Sequence, residues 1–189
     1  PTVRNQKAFS ASHPAGKDPK ATYVYAGPAL TRSAAVSDEW APVLPEGLAS
    51  FTLGLCYFLI KNGATVNAAD FEDFKALVMS HYTPTKVEKA VGLKPDTLFE
   101  LSRKLMQAKR PLVVTGSEFG QGSGQALAAA GAALNLLMGR LNQPGGLVAL
   151  PEAPNVVDAA MDRKDIMAND LVGYLMSMDK GRAPTPDVM

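Results

Sequence analysis

Residues 110–141 read RPLVVTGSEFGQGSGQALAAAGAALNLLMGRL, and this stretch holds a strand, a turn and a helix in succession. The apolar run Leu112–Thr115 ends at Gly116 and is typical of a short buried strand. A glycine-rich turn follows as far as Gly124, and the alanine-rich residues 125–141 predict a helix. This succession predicts an α/β fold in which helices cover a parallel sheet.

A series of helical patterns precedes that unit. Residues 47–61 are apolar almost all round, which predicts a buried helix closed by Asn62-Gly63. Asn67 is placed to cap the next helix. Thr83-Pro84 and Pro95-Asp96 each put proline at a first helical position, so they predict two more helix starts.

Two extended segments lie closer to the N-terminus. Residues 21–26 read ATYVYA and run into a turn at Gly27-Pro28, which predicts a strand followed by a turn. Residues 40–45 read WAPVLP, and their prolines favour a position at the edge of a sheet.

The domain organisation follows from these elements. Residues 1–20 are polar and predict a loose N-terminal arm. Residues 21–150 form the predicted domain, a Rossmann-like open parallel sheet flanked by helices. Residues 147–150 are a further candidate strand, and residues 151–189 predict a less regular tail with a helix over 165–178. The chain begins at Pro1 without an initiator methionine, so we expect a fragment of a larger multidomain subunit, with a missing segment after the tail.

Composition narrows the possible functions. The chain has 189 residues and a formal charge of +1, and its charges are dispersed, so no nucleic-acid partner is predicted. Cys56 is the single cysteine, which excludes a disulfide or a multi-cysteine metal site within the chain. The longest apolar run, residues 51–60, is shorter than the roughly 20 residues that a membrane-spanning helix needs. We therefore predict no membrane span, no metal site and no catalytic residue in the chain.

The glycine-rich turn is the most suggestive candidate for ligand binding. Backbone N–H groups at a helix start bind phosphate readily, and Gly116, Ser117, Gly120 and Gly122 would supply them. The glycine spacing matches neither a dinucleotide fingerprint nor a P-loop. A tight turn that allows close helix packing is the alternative explanation.

Other polar candidates are weaker. His13 and His81 have no acidic or cysteine neighbours at metal-ligand spacing, so a solvated or structural role is the alternative for both. Asp38-Glu39 is a possible carboxylate pair, although neighbours in sequence usually point apart and a turn role is favoured. Cys56 lies in an apolar stretch, where a buried inert thiol is the usual case.

The order of several motifs resembles the molybdopterin oxidoreductase family of the dimethyl-sulfoxide reductase type. The resemblance extends from Tyr23 to about Gly146, and its motifs are individually weak but fairly specific in their order. In chain order they are VSDEWAPVLP at 36–45, FEDF at 71–74, YTP at 82–84, VGL at 91–93, RPLVVTG at 110–116, LNLLMGR at 134–140 and PGG at 144–146.

The resemblance implies where a cofactor would bind. Catalytic relatives hold molybdopterin guanine dinucleotide, and their nucleotide contacts fall at Gly27, Pro28 and Thr31 and at the glycine-rich turn. Relatives carry Asp-Pro-Arg where this chain has Gly27-Pro28-Ala29, and an aspartate where it has Leu48. Each lost hydrogen-bonding partner costs about 1–3 kcal/mol. The expected site is therefore vestigial, and we predict no bound cofactor in this chain.

Function follows from the same resemblance. Cofactor-free subunits of this family occur in membrane-associated, quinone-linked respiratory complexes, on the periplasmic face of the bacterial inner membrane. The resemblance thus implies a structural domain of such a subunit, with iron–sulfur, cytochrome or quinone-binding membrane subunits as partners. An incomplete sheet would leave an open edge, so the fragment is also expected to be capable of dimerising.

Two alternatives stay open. One is the cofactor-binding domain of an active molybdenum oxidoreductase that acts on a sulfur or arsenic oxyanion or on formate. The other is a free-standing nucleotide-binding or interaction module.

Overall fold

The computed structural model describes residues 2–116 and 124–148. Within them, helices precede, separate and follow two short strands, as the sequence predicts for an α/β chain. In chain order the elements are α1 (Thr2–Ser12), β1 (Val24–Gly27), α2 (Arg32–Val36), β2 (Glu39–Pro42), a single 3-10 turn (Pro45–Gly47), α3 (Leu48–Lys61), α4 (Phe71–His81), α5 (Pro84–Val91), α6 (Pro95–Gln107) and α7 (Gly124–Leu137).

Strands β1 and β2 form a parallel pair, with Val24 opposite Glu39 and Gly27 opposite Pro42. Helix α2 connects the two strands. Both extended segments predicted from the sequence are therefore strands of one sheet, which has two strands among the described residues. The prediction of an α/β fold with helices flanking a parallel sheet is confirmed.

Helix α3 is the centre of the hydrophobic core, as its all-round apolar sequence predicts. Helices α4, α5, α6 and α7 all contact it. Its buried residues include Phe51, Leu55 and Leu59, and the other helices contribute Val78, Val87, Leu98 and Leu134.

Most helix ends lie where local sequence signals place them. Helix α5 begins at Pro84 and ends before Gly92, whose φ of 76° is the left-handed conformation that favours glycine. Helix α6 begins at Pro95. The predicted cap at Asn67 is wrong: α4 begins at Phe71, because the chain makes a further turn through Ala68, whose carbonyl accepts from the Phe71 N–H.

Two predictions near the ends of the domain differ from the structure. Residues 2–12 form helix α1 rather than a loop; Phe9 on α1 contacts the Tyr23 ring, and His13 directly after α1 contacts the Asp38 carboxylate. Residues 112–115 are outside the hydrogen-bonded sheet, because a side chain of α7 takes the place of a neighbouring strand.

Several predictions fall on other parts of the chain. The helix over 165–178, the whole 151–189 tail and the end of the 147–150 strand lie outside the described residues. Leu147, which is described, forms an isolated bridge with Leu141. Among residues 2–116 and 124–148, no helix has the length and apolar character needed to cross a membrane.

Candidate functional site

The turn after β1 carries the first group of predicted site residues. Gly27 is buried at the end of β1, and its carbonyl accepts from the Trp40 Nε1–H at 3.0 Å and from the Val43 N–H at 3.3 Å. A Cβ at Gly27 would lie 2.8 Å from the Tyr25 ring. The Gly27 carbonyl therefore helps to hold β1 and β2 together, and the absence of a side chain at Gly27 leaves room for the Tyr25 ring.

Thr31 has a structural partner of its own. It lies at the N-cap of α2, where its Oγ1 accepts from the Ala34 N–H at 3.2 Å. Its own N–H donates to the Ala29 carbonyl at 2.9 Å, which closes a tight turn directly after Pro28. The Thr31 hydroxyl thus caps a five-residue helix.

Leu48 stands where members of the resembled family carry an aspartate, and its surroundings are apolar. Leu48 opens α3 and packs against the hydrophobic core. The preceding Gly47 has no room for a side chain, because a Cβ there would lie 2.7 Å from the Ala90 carbonyl oxygen and 3.0 Å from the Val91 Cα. This corner of the domain is closed by packing.

The second predicted group is only partly described. Gly116 ends the extended residues 111–116, whereas Ser117, Gly120 and Gly122 lie outside the described residues. The extended residues are fixed to α7: the Asn135 amide accepts from the Val113 N–H at 3.1 Å and donates to the Val113 carbonyl at 2.7 Å. Gly131 completes this contact, since a Cβ there would lie 2.6 Å from Thr115 Cγ2.

The predicted site residues therefore lie in two separate turns, and different elements of the fold hold each turn in position. The turn at 27–31 is held by β2 and α2, and Gly116 follows residues that are held by α7. Among the described residues, no cluster of histidine, cysteine, aspartate or glutamate side chains could hold a metal ion. The assignment of a ligand site to these turns stays a prediction.

The structure contains a polar cluster that the sequence does not reveal. His13 Nε2 lies 3.1 Å from Asp38 Oδ2, and the same oxygen accepts from the Tyr23 N–H at 2.7 Å. The His13 ring stacks on Phe9 with centroids 4.3 Å apart, and Tyr23 contacts both rings. Asp38 belongs to the Asp38-Glu39 pair of the sequence analysis. Its position before β2 agrees with the turn role that the sequence favours over a carboxylate pair.

Hydrogen bonding in this cluster fits an ion pair. A carboxylate can only accept, so His13 Nε2 carries the proton that it shares with Asp38. Ser12 Oγ donates to the Phe9 carbonyl at 2.7 Å and lies 3.0 Å from His13 Nδ1. The cluster fastens α1 to the strands.

The other reactive side chains have ordinary structural positions. Cys56 is completely buried, and this burial raises the pKa of its thiol to about 12. A thiol of that kind is unreactive at neutral pH. His81 is the basic residue in the last turn of α4, a position that the helix dipole favours for a cation.

A small cavity adjoins the cluster. It has a volume of about 210 Å³ and lies between α1, β1 and α2. Its lining is mostly aromatic and aliphatic, with hydroxyls at one side: Phe9, Tyr23, Val24, Tyr25, Ser33, Val36 and Ser37. The volume is below the roughly 300 Å³ at which small-molecule sites usually begin.

Replacing Asp38 with asparagine is expected to lower the free energy of unfolding by about 0.5–1 kcal/mol at pH 7, as is usual for a partly exposed ion pair. Hydrogen bonds from the Tyr23 N–H and then from His13 hold the pKa of Asp38 below its ordinary value of 3.8. The ionised Asp38 carboxyl therefore stabilises the fold at pH values above its ordinary pKa. This stabilisation is lost as the pH falls through the lower pKa that Asp38 has in the folded protein.

Urea unfolding of both proteins at pH 7 and at pH 2.5–3 (about one unit below the ordinary value) tests this prediction. The difference between them should shrink in acid. Asp18→Asn, at an exposed loop position, is the control and should change stability little at either pH. An equal difference at both pH values would contradict the ion pair.

Comparison with known proteins supports the resemblance. No protein-family profile matches the chain. The chain is 46% identical over 187 residues, 99% of its length, to a protein of Nitratidesulfovibrio vulgaris (strain Hildenborough) named menaquinone reductase, molybdopterin-binding-like subunit. It spans 27% of that relative. The resemblance predicted from the sequence is thereby confirmed.

A solved structure shares the fold. Acetylene hydratase from Pelobacter acetylenicus superposes with a TM-score of 0.56 at 19% sequence identity. The superposition covers 62% of this chain and 17% of the hydratase. At that identity the likeness concerns the fold alone, and it matches a minor part of a larger protein.

Proposed function

We propose that this chain is a domain of the molybdopterin-binding-like subunit of a menaquinone reductase, and that its role there is structural. It would hold redox partners at a working separation in a quinone-linked electron-transfer complex, without binding a molybdenum cofactor itself. The observation that supports this most is the 46% identity, over 99% of the chain, to a subunit of that name.

The residues of the domain do not fit the guanine dinucleotide cofactor. A carboxylate can accept two hydrogen bonds from a guanine edge, and Gly27 and Leu48 stand at the positions where relatives carry one. Within the fold, the Gly27 carbonyl accepts from the Trp40 Nε1–H and the Thr31 hydroxyl oxygen accepts from the Ala34 N–H. No step of a molybdenum reaction is therefore assigned to this chain.

The proposal includes a place and a set of partners. We place the subunit on the periplasmic face of the bacterial inner membrane, beside iron–sulfur, cytochrome or quinone-binding membrane subunits. The name of the relative, a subunit of a menaquinone reductase, is what supports a place in a complex of several subunits.

Thr31 gives a direct test, because the structural account assigns it only a capping role. Thr31→Val should lower the free energy of unfolding by about 0.5–2 kcal/mol, whereas Thr31→Asp, itself a good N-cap, should keep it near the wild-type value. In the assembled complex, both variants should reduce menaquinone at the wild-type rate per complex.

A cofactor-binding role makes a different prediction for the same pair. A carboxylate at position 31 would repel the phosphates of a bound dinucleotide, so Thr31→Asp would abolish activity in a stable, assembled complex. That result would contradict the structural proposal.

One observation favours the alternative of a cofactor-binding domain in an active molybdenum oxidoreductase. Arg32 follows Thr31 directly, and its side chain is exposed. Its guanidinium could bind a phosphate in place of the arginine that relatives carry at the position of Ala29. Under that alternative, Arg32→Gln would lower activity without lowering stability, whereas the structural proposal expects no change in either.

A further inference from the structure

Helix α1 is attached to the rest of the domain mainly at its C-terminal end. Of the α1 side chains whose burial the structure describes, only Phe9 and Ser12 are partly buried, and the others are exposed. The Phe9 ring meets the Tyr23 ring edge-on with centroids 5.3 Å apart. His13, directly after α1, stacks on Phe9 and contacts the Asp38 carboxylate. The attachment of α1 therefore depends largely on the contacts of one histidine and its neighbours.

Both ring nitrogens of His13 face oxygen atoms. Nε2 lies 3.1 Å from Asp38 Oδ2, and Nδ1 lies 3.2 Å from the Phe9 carbonyl oxygen and 3.0 Å from Ser12 Oγ. A carboxylate and a carbonyl can only accept, and the Ser12 hydroxyl donates its one proton to the Phe9 carbonyl at 2.7 Å. A ring with a proton on each nitrogen satisfies all of these contacts, so the arrangement fits a positively charged His13.

A neutral ring satisfies fewer of the same contacts. It carries one proton, and when Nε2 shares that proton with Asp38, Nδ1 has none to donate to the Phe9 carbonyl. If the Ser12 hydroxyl turns to Nδ1, it leaves that carbonyl instead. The neutral ring also lacks the charge that is favoured beside a carboxylate and at the C-terminal end of a helix.

Asp38 is the charged group that faces His13. Tyr23 presents its ring to His13 with centroids 5.2 Å apart, and Glu39 forms an ion pair with Lys104 on α6. Among residues 2–116 and 124–148, neither His13 nor Asp38 forms an ion pair with any other group. Other charged side chains on α1, on α2 and in the loop after α1 are exposed: Lys7, Lys17, Asp18, Lys20 and Arg32.

We propose that the His13–Asp38 pair is a pH-sensitive switch for the attachment of α1 to the strands. Histidine is the side chain whose charge ordinarily changes between about pH 5 and pH 8. The Asp38 carboxyl is ionised throughout that range, because hydrogen bonds from the Tyr23 N–H and from His13 hold its pKa below 3.8. The pair therefore holds α1 in weakly acidic solution, and the attachment weakens as the pH rises and His13 loses its charge.

Loosening of α1 affects the neighbouring cavity. Phe9 lines the cavity of about 210 Å³ between α1, β1 and α2, together with Tyr23 and Tyr25. Because Phe9 belongs to α1, movement of this helix away from the strands opens one side of the cavity and exposes the rings of both tyrosines. The switch thus connects the charge of one histidine to the exposure of an aromatic surface.

Amide hydrogen exchange of the intact subunit tests the proposal, with rates at about pH 6 and pH 8.5 corrected for the intrinsic pH dependence of exchange. Protection of the α1 amides should be about two- to fivefold lower at the higher pH, the range that a partly exposed ion pair supports. His81→Gln is the control, since it removes the other histidine of the chain and should leave this change intact. Equal protection of the wild-type α1 amides at both pH values would overturn the switch.

Two variants at His13 separate its charge from the shape of its ring. His13→Gln should lower the protection of α1 at both pH values and remove the dependence on pH. His13→Arg is charged at both pH values, and its guanidinium can stack on Phe9, so α1 should be protected at both. A pH dependence that persists in His13→Gln would overturn the proposal. Loss of protection in His13→Arg at both pH values would also overturn it, because the ring rather than its charge would then hold α1.

Discussion

Replacing Asn135 with alanine is expected to lower the free energy of unfolding by about 3 kcal/mol, because each polar group left unpaired in the interior costs about 1–3 kcal/mol. The wild-type amide is fully buried and makes three hydrogen bonds, to the Val113 N–H, the Val113 carbonyl and the Gly131 carbonyl. Urea unfolding of the chain, followed by circular dichroism, measures the loss.

Two further variants separate the buried hydrogen bonds of Asn135 from the general cost of losing an asparagine amide. Asn62→Ala removes an exposed amide that donates to the Phe58 carbonyl at 2.7 Å, and it should cost about 1 kcal/mol or less. Asn135→Asp keeps an acceptor for Val113 but loses the donor. Its buried carboxyl should be most destabilising at neutral pH and less so in acid, where the protonated group can donate. A mild effect of Asn135→Ala would show that the segment is held in some other way.

Leu98→Ala should be about as destabilising, with an expected loss of roughly 2–5 kcal/mol, the usual cost of truncating a buried leucine. Leu98 is almost completely buried on α6, where it packs against α3 at Gly54. A matched control is Leu77→Ala on α4, since Leu77 is 49% exposed and should lose much less. Thermal or urea unfolding of both variants gives the comparison.

The contact between Leu98 and Gly54 can be tested by combining substitutions at both positions. A Cβ at Gly54 would lie 2.9 Å from Leu98 Cδ2 and 3.0 Å from Val87 Cγ1, so Gly54→Ala should destabilise the wild-type chain through overpacking. In the Leu98→Ala background, one of these contacts is removed and the added methyl partly fills the cavity. The second substitution should therefore cost less there, and strict additivity would contradict the contact.

Local signals account for what the sequence predicts well. The all-round apolar pattern of α3, the prolines that open α5 and α6, and Gly92 all act within one or two turns of their own helix. Such signals determine helix ends before any tertiary contact forms. Strands β1 and β2 lie close to the two extended segments that the sequence predicts, and the alternation of strands with helices favours their parallel arrangement.

Features that depend on distant contacts were not predictable. Helix α1 depends on His13 meeting Asp38, which is 25 residues away in sequence, and the residues between them give no sign of the pairing. The extended segment at 112–115 has the composition of a buried strand, yet its partner is Asn135 on a helix 22 residues away. The LNLLMGR motif contains Asn135, but the resemblance to the family does not indicate that this residue bonds to Val113.

The most direct test of the account is the content of molybdenum, tungsten and pterin in the full-length subunit, purified within an assembled complex that still reduces menaquinone. Elemental analysis would measure the metals, and fluorescence after oxidation would measure the pterin. The account predicts neither metal nor pterin above background, because Gly27 and Leu48 stand where relatives carry the aspartates that accept hydrogen bonds from the guanine. Metal and pterin in stoichiometric amounts with the subunit would contradict it.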